Sequence, residues 1–98
     1  MLELYLGKSN AKGKRYSVTL YNNGIKLRTI NFGSNEHDNF TIHKNNERKT
    51  RYLLRHSTED WTSINPGSLS RYLLWNKPTL EESIKDFERR FGVKIHRK

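Results

Sequence analysis

Hydrophobic residues change their period partway along this chain, and that change restricts the folds open to it. In "MLELYL", Leu2, Leu4 and Leu6 alternate with Glu3 and Tyr5, the period-two pattern of a half-buried strand. "RYSVTLY" alternates again through Tyr16, Val18 and Leu20. "NNG" follows, whose residues tolerate positive φ, and Gly24 suits a hairpin with a bulge. "IKLRTINF" is the return strand. Its alternation slips from Ile25 and Leu27 to Ile30 and Phe32, which a bulge near Thr29 explains.

Beyond these strands the pattern becomes helical. "KNNERKTRYLLRH", residues 44–56, is a first helix with Asn45 or Asn46 as its cap. "SLSRYLLWN" is a second, entered from "NPG" and stopped before Pro78. "TLEESIKDFERRFG" is the third and clearest. Thr79 and Glu82 form a capping box, Leu80, Ile84, Phe87 and Phe91 make one apolar stripe, and Gly92 is the stop. Glu81–Lys85 and Asp86–Arg90 are spaced as supporting ion pairs. "VKIHRK" suits a last short strand beside "LELYL". The expected class is α+β: a small antiparallel β-sheet, made of the hairpin 15–32 plus the N-terminal strand, followed by three short helices. With 98 residues and no repeat or linker, one domain over 1–98 is expected.

Charge narrows the function. The formal net charge is +9, and it is unevenly spread. Six cations and no acid lie between Leu4 and Asn35, whereas five cations meet five acids between Glu36 and Asn65. Such an excess suggests an anionic partner: nucleic acid, an acidic protein or a lipid surface. Eleven aromatics among hydrophobics of only 33% argue for a thin core with aromatic anchors. There is no cysteine, so a disulfide framework and a Cys-based zinc site are excluded. "MLELYLGKSNAKGK" lacks signal-peptide order, and no apolar run is long enough to span a membrane.

The cations of 44–56 are organised. At 100° per residue, Lys44, Arg48, Arg51 and Arg55 fall within about 60° of one another. Tyr52 lies beside this stripe; Thr50, Leu53 and Leu54 lie opposite, which assigns the Leu side to the core. Three readings of the stripe stand open. Glu59 and Asp60 neutralise it, or it tracks phosphates with Tyr52 stacking or hydrogen-bonding, or it docks on an acidic protein. The basic, flexible loop "GKSNAKGKR", with Lys8, Lys12, Lys14 and Arg15, extends either kind of surface. Nothing here specifies base reading.

Catalytic signals are missing. No nucleophile elbow or phosphate-binding loop stands out, and "NFGSNE" is no phosphate cradle. His37, His43, His56 and His96 match no metal-ligand spacing and read as surface or capping residues. His43 with Glu47 is a thin basis for a nuclease. A non-enzymatic protein without cofactor, metal or evident small-molecule substrate is expected. Trp75 belongs to a helix apolar nearly all round, with Leu69, Tyr72, Leu73 and Leu74, which is either core or an exposed aromatic patch.

"FTIHK" (40–44), "ERKTRYLLRH" (47–56), "EDW" (59–61) and "GSLSRYLLWNKPTLEESI" (67–84) carry a resemblance. The chain resembles, from about Tyr16 to Phe91, an uncharacterised family of small basic proteins encoded mainly by large double-stranded DNA viruses of algae and protists. "SRYLLWNKPTL" is its most specific part. The resemblance implies a viral product in the host-cell interior, cytoplasm or nucleus, and in the virion. It implies no activity. Its partners are then nucleic acid or, alternatively, an acidic virion protein met by a minor capsid or cement protein.

Overall fold

The structure is a computed structural model that describes all residues, 1–98. Strands β1 (Leu2–Lys8), β2 (Lys14–Asn22) and β3 (Ile25–Ser34) come first. Helical segments α1 (Phe40–His43), α2 (Asn46–Arg55) and α3 (Pro66–Leu69) follow, the last running into a π turn at Ser70–Leu74. Helix α4 (Leu80–Phe91) and strand β4 (Lys94–Arg97) complete the α+β fold. The expected strands and helices are present. One short helix, α1, had no counterpart in the sequence pattern.

The sheet order is β3-β2-β1-β4. The first three strands pair antiparallel, whereas β4 pairs parallel to β1, with Leu4 opposite Ile95. The sheet is therefore mixed, not purely antiparallel. The helices form the connection that brings β4 back in the direction of β1, as parallel pairing requires. A two-residue turn joins β2 and β3: Asn23 and Gly24 both have positive φ, 51° and 81°, as a type I′ hairpin demands. The slip in β3 is real. Tyr21 pairs with Lys26 and Leu20 with Arg28, so Leu27 is the extra residue of a bulge, two positions before Thr29. Ile25 and Leu27 consequently face solvent.

One face of the sheet carries the core. Leu4, Leu6, Val18, Leu20, Ile30, Phe32 and Ile95 meet Leu69, Leu73, Leu74, Ile84 and Phe87 from the helical layer. The stripe of α4 is as expected: Phe87 is fully buried, Ile84 nearly so, and Leu80 and Phe91 pack at its margin. Thr79 caps α4 by accepting from the Glu82 amide, and Gly92 ends it in the left-handed region. The Glu82 carboxylate accepts from the Thr79 hydroxyl, not from its backbone N–H, so the capping box is half made. Asp86 pairs with Arg90, but Glu81 pairs with Arg97 and leaves Lys85 free.

The crowded segment around Trp75 is core. In the π turn the Trp75 amide donates to the Ser70 carbonyl at 3.1 Å, five residues back. The inserted residue widens the turn, so that adjacent Leu73 and Leu74 are both buried and Trp75 is swung towards α2.

Candidate nucleic-acid interface

Helix α2 docks differently from its apolar pattern. Only Tyr52 is buried; Leu53 is half-buried and Leu54 is 69% exposed. The Leu side does not enter the core. Instead Lys49, Tyr52 and His56 face inward, an i, i+3, i+7 stripe interrupted by charge. The Tyr52 ring stacks on Trp75 and meets His56 at a tilt, while Lys49 donates to the Asn76 carbonyl at 2.6 Å and lies over the Phe40 ring. Lys49 is half-buried and points away from the outer stripe; burial, then Arg71 and Lys77, lower its pKa. Burial, followed by Glu59, pushes the Tyr52 phenol up to about 12. Tyr52 is thus buried against Trp75 and lies beneath the outer arginine stripe, where it was expected to stack or hydrogen-bond with a partner.

The corner before α2 is fixed by short-range hydrogen bonds. Asn39 caps α1 by accepting from the Thr41 amide at 3.0 Å. Lys44 ends α1 in the left-handed region, φ 54°, and donates to the Thr41 carbonyl at 2.8 Å. It therefore lies outside α2 and leaves the expected stripe. Asn45 caps α2 by accepting from the Glu47 and Arg48 amides. The Asn45 amide donates to His43 Nδ1 at 2.9 Å. Burial first, then Arg48, lower the His43 pKa, so its ring is neutral near pH 7.

Arg48, Arg51 and Arg55 do share an exposed face, as the spacing requires. Arg51 has one weak partner, Glu47, at 3.8 Å with both side chains exposed. Arg48 and Arg55 form no ion pair. The acids expected to neutralise them are committed elsewhere. Glu59 bonds to His56, and Asp60 accepts from Thr62 and Ser63 in its own turn. Those hydrogen bonds, from Thr62 first, hold the Asp60 carboxyl down to about 2.

This face borders a cleft of about 450 Å³. One wall is the end of β3 and the segment after it, residues 33–39; the other is the end of α2, with Arg55 and the following His56. Tyr52, Leu74 and Trp75 form an apolar floor, and Gly13 and Lys14 close one end. A shallower groove continues from it past Arg48 and Arg51, sharing His37, Asp38, Arg55 and Trp75. Asp38 is the one acid lining either space. Gly33 is held at φ 77°, and a Cβ there would stand 2.7 Å from Leu74 Cδ1, so glycine is needed for the close approach of β3 to the π turn.

Of the basic loop, Lys14 joins the cleft. Arg15 supports its wall, donating to the Ser34 carbonyl at 3.3 Å and the His37 carbonyl at 3.0 Å. Lys8 and Lys12 are exposed and line neither space. The loop is not free coil: the Ala11 amide bonds to Ser9 Oγ, and the Asn35 amide to the Gly13 carbonyl. Sequence reasoning missed His37, Asp38, Asn39 and Trp75 as lining residues; the interrupted pattern around Gly33 was the only local hint. No three His, Cys, Asp or Glu side chains gather as a metal site, and no helix is long and apolar enough to cross a membrane.

The fold and this surface define a small α+β protein with a concave, mostly cationic face. A family described as a family of unknown function, DUF5754, matches residues 4–56. The match covers more than half of the chain, and the protein belongs to that family. It spans β1 to α2, which includes every cleft residue named above except Leu74 and Trp75. No curated protein and no solved structure matches the chain.

Proposed function

We propose that the protein is a small, basic, non-enzymatic viral protein that associates with nucleic acid through the cationic face of α2, without sequence specificity. One observation carries this reading. Arg48 and Arg55 are left unpaired on the same face as Arg51, and Lys14 meets them across the cleft, while the nearby acids Glu59 and Asp60 are used in other contacts. Four cations around one concavity repel one another, and a polyanion relieves that repulsion. Guanidinium groups also offer paired donors to phosphate oxygens. None of these side chains is presented as a base-reading helix, so phosphate contact without sequence preference is the fitting mode.

The viral assignment rests on the resemblance of "SRYLLWNKPTL" and its flanks to small basic proteins of large double-stranded DNA viruses. On this reading the protein acts in the host-cell interior and is carried in the virion. The direct test is a titration of labelled duplexes of several sequences at two salt concentrations. Each phosphate neutralised contributes about 0.9 to the salt slope on duplex DNA. Steep salt dependence with little sequence preference is expected, and binding indifferent to salt contradicts the reading.

A second reading, a virion structural adaptor that docks acidic shell proteins, is favoured by a different feature. Met1, Ile25 and Leu27 are 71%, 68% and 56% exposed, and the Met1 amino group bonds to Asn23 at the hairpin turn beside Ile25. The crowded helix around Trp75, which suggested this role in the sequence, is buried and gives it no support. Virion incorporation of Ile25→Ser with Leu27→Ser separates the readings: loss of incorporation with DNA binding intact favours the adaptor.

A further inference from the structure

The cleft is more than the edge of a ridge. We infer that it is a seat for one terminal phosphomonoester, carried by a free nucleotide or by the end of a nucleic-acid chain. The inference rests on the phosphate-binding reading of the same surface and adds what enters it. Three observations carry it. The first is shape: about 450 Å³ lies within the range of pockets for small ligands, and a duplex backbone rides over such a cleft without entering it. One nucleotide at a chain end fits.

The second is an unused donor. Asn39 is 4% exposed and lines the cleft. Its Oδ1 is fixed as an acceptor by the Thr41 amide, at 3.0 Å, and also takes the Thr41 hydroxyl. Nδ2 donates to no protein group and is free to bond an oxygen acceptor in the cleft. The third is charge. Arg55 and Lys14 face the space, with Arg48 and Arg51 in the continuing groove, against the single carboxylate of Asp38. A phosphomonoester carries about −1.5 to −2 near pH 7, more than a chain diester, so this field favours an end over an internal phosphate. Leu74 and the edge of Trp75 offer the attached nucleoside an apolar contact. Tyr52 lies flat on one face of Trp75 and the tilted His43 ring packs near it, so no base stacking on Trp75 is invoked and no base preference follows.

The test compares oligonucleotides of one sequence bearing a 5′-phosphate or a 5′-hydroxyl, with AMP as the free nucleotide. Trp75 reports binding in a Trp61→Phe background. The 5′-phosphate is expected to tighten binding about tenfold or more. Asn39→Asp keeps the Oδ1 cap and replaces the free donor with a carboxylate oxygen; it should erase that preference while the helical circular dichroism stays unchanged. Arg55→Gln should do the same, and Asp38→Asn should strengthen it. Comparable affinity for AMP and the phosphorylated oligonucleotide assigns the seat to free nucleotides, and much tighter binding of the oligonucleotide assigns it to chain ends. Equal affinity for the two ends, with salt-dependent binding retained, overturns the inference and leaves the phosphate-tracking reading intact. Loss of all binding overturns both.

Discussion

Tyr52 lies flat on Trp75, with ring centroids 4.3 Å apart and planes 4° from parallel. This contact joins α2 to the π turn and so holds the arginine face against the floor of the cleft. Tyr52 is the one buried side chain of α2, so this aromatic pair, beside the Lys49–Asn76 bond, is its main anchor. Tyr52→Ala should cost about 3 kcal/mol, from lost burial, the cavity left and the lost ring contact. Trp75 emission should shift to the red as its ring becomes wet. Denaturant unfolding with fluorescence detection in the Trp61→Phe background checks both. An unchanged midpoint and spectrum contradict the anchoring role.

Phe87 is fully buried among the residues that join α4 to the sheet. Phe87→Ala should destabilise by about 3–5 kcal/mol through lost transfer free energy and a cavity. That is a large part of the stability available to so small a domain. Thermal unfolding by circular dichroism reads it, and an unaltered melting temperature means that α4 faces another way.

Asp86 sets an acid limit. It is 4% exposed and accepts from Asn76, Arg89 and Arg90 at 2.6–2.7 Å. Burial pushes its carboxyl up, but the bonds from Arg90, Asn76 and Arg89 outweigh burial and hold it below the ordinary value of 3.8. A depressed folded pKa means that the unfolded chain takes up the proton first. The stabilisation is therefore complete above about pH 4 and is lost as pH falls through the folded value. Asp86→Asn should lower stability at neutral pH by about 2 kcal/mol and flatten the fall in melting temperature below pH 4. Parallel acid profiles for the two proteins contradict this assignment.

Legibility in the sequence followed how local each signal was. Helix α4 was readable because its stripe, its Thr79 cap and its Gly92 stop all sit within one segment. The arginine spacing of α2 was readable for the same reason. Its buried side was not: Lys49 and His56 flank Tyr52, so counting apolar residues pointed to Leu53 and Leu54. The π turn escaped notice because one inserted residue breaks the helical period at Ser70–Leu74. Pairing of β4 with β1 was suggested by pattern, but its parallel direction depends on the whole helical connection. The cleft was invisible because Lys14, Asn39, Arg55 and Trp75 lie far apart in the chain and meet only through the fold.

The central claim is that unpaired arginines on α2 hold phosphate, and reversing two of them tests it most directly. Arg48 and Arg55 form no ion pair and are exposed, so Arg48→Glu with Arg55→Glu should change stability by under about 0.5 kcal/mol each. The measurement is the salt dependence of duplex DNA affinity for this variant beside the unaltered protein. Removing two phosphate contacts should make the slope of log affinity against log salt shallower by about 1.8, with a large loss of affinity at low salt. A folded variant with undiminished affinity and an unchanged slope contradicts the account.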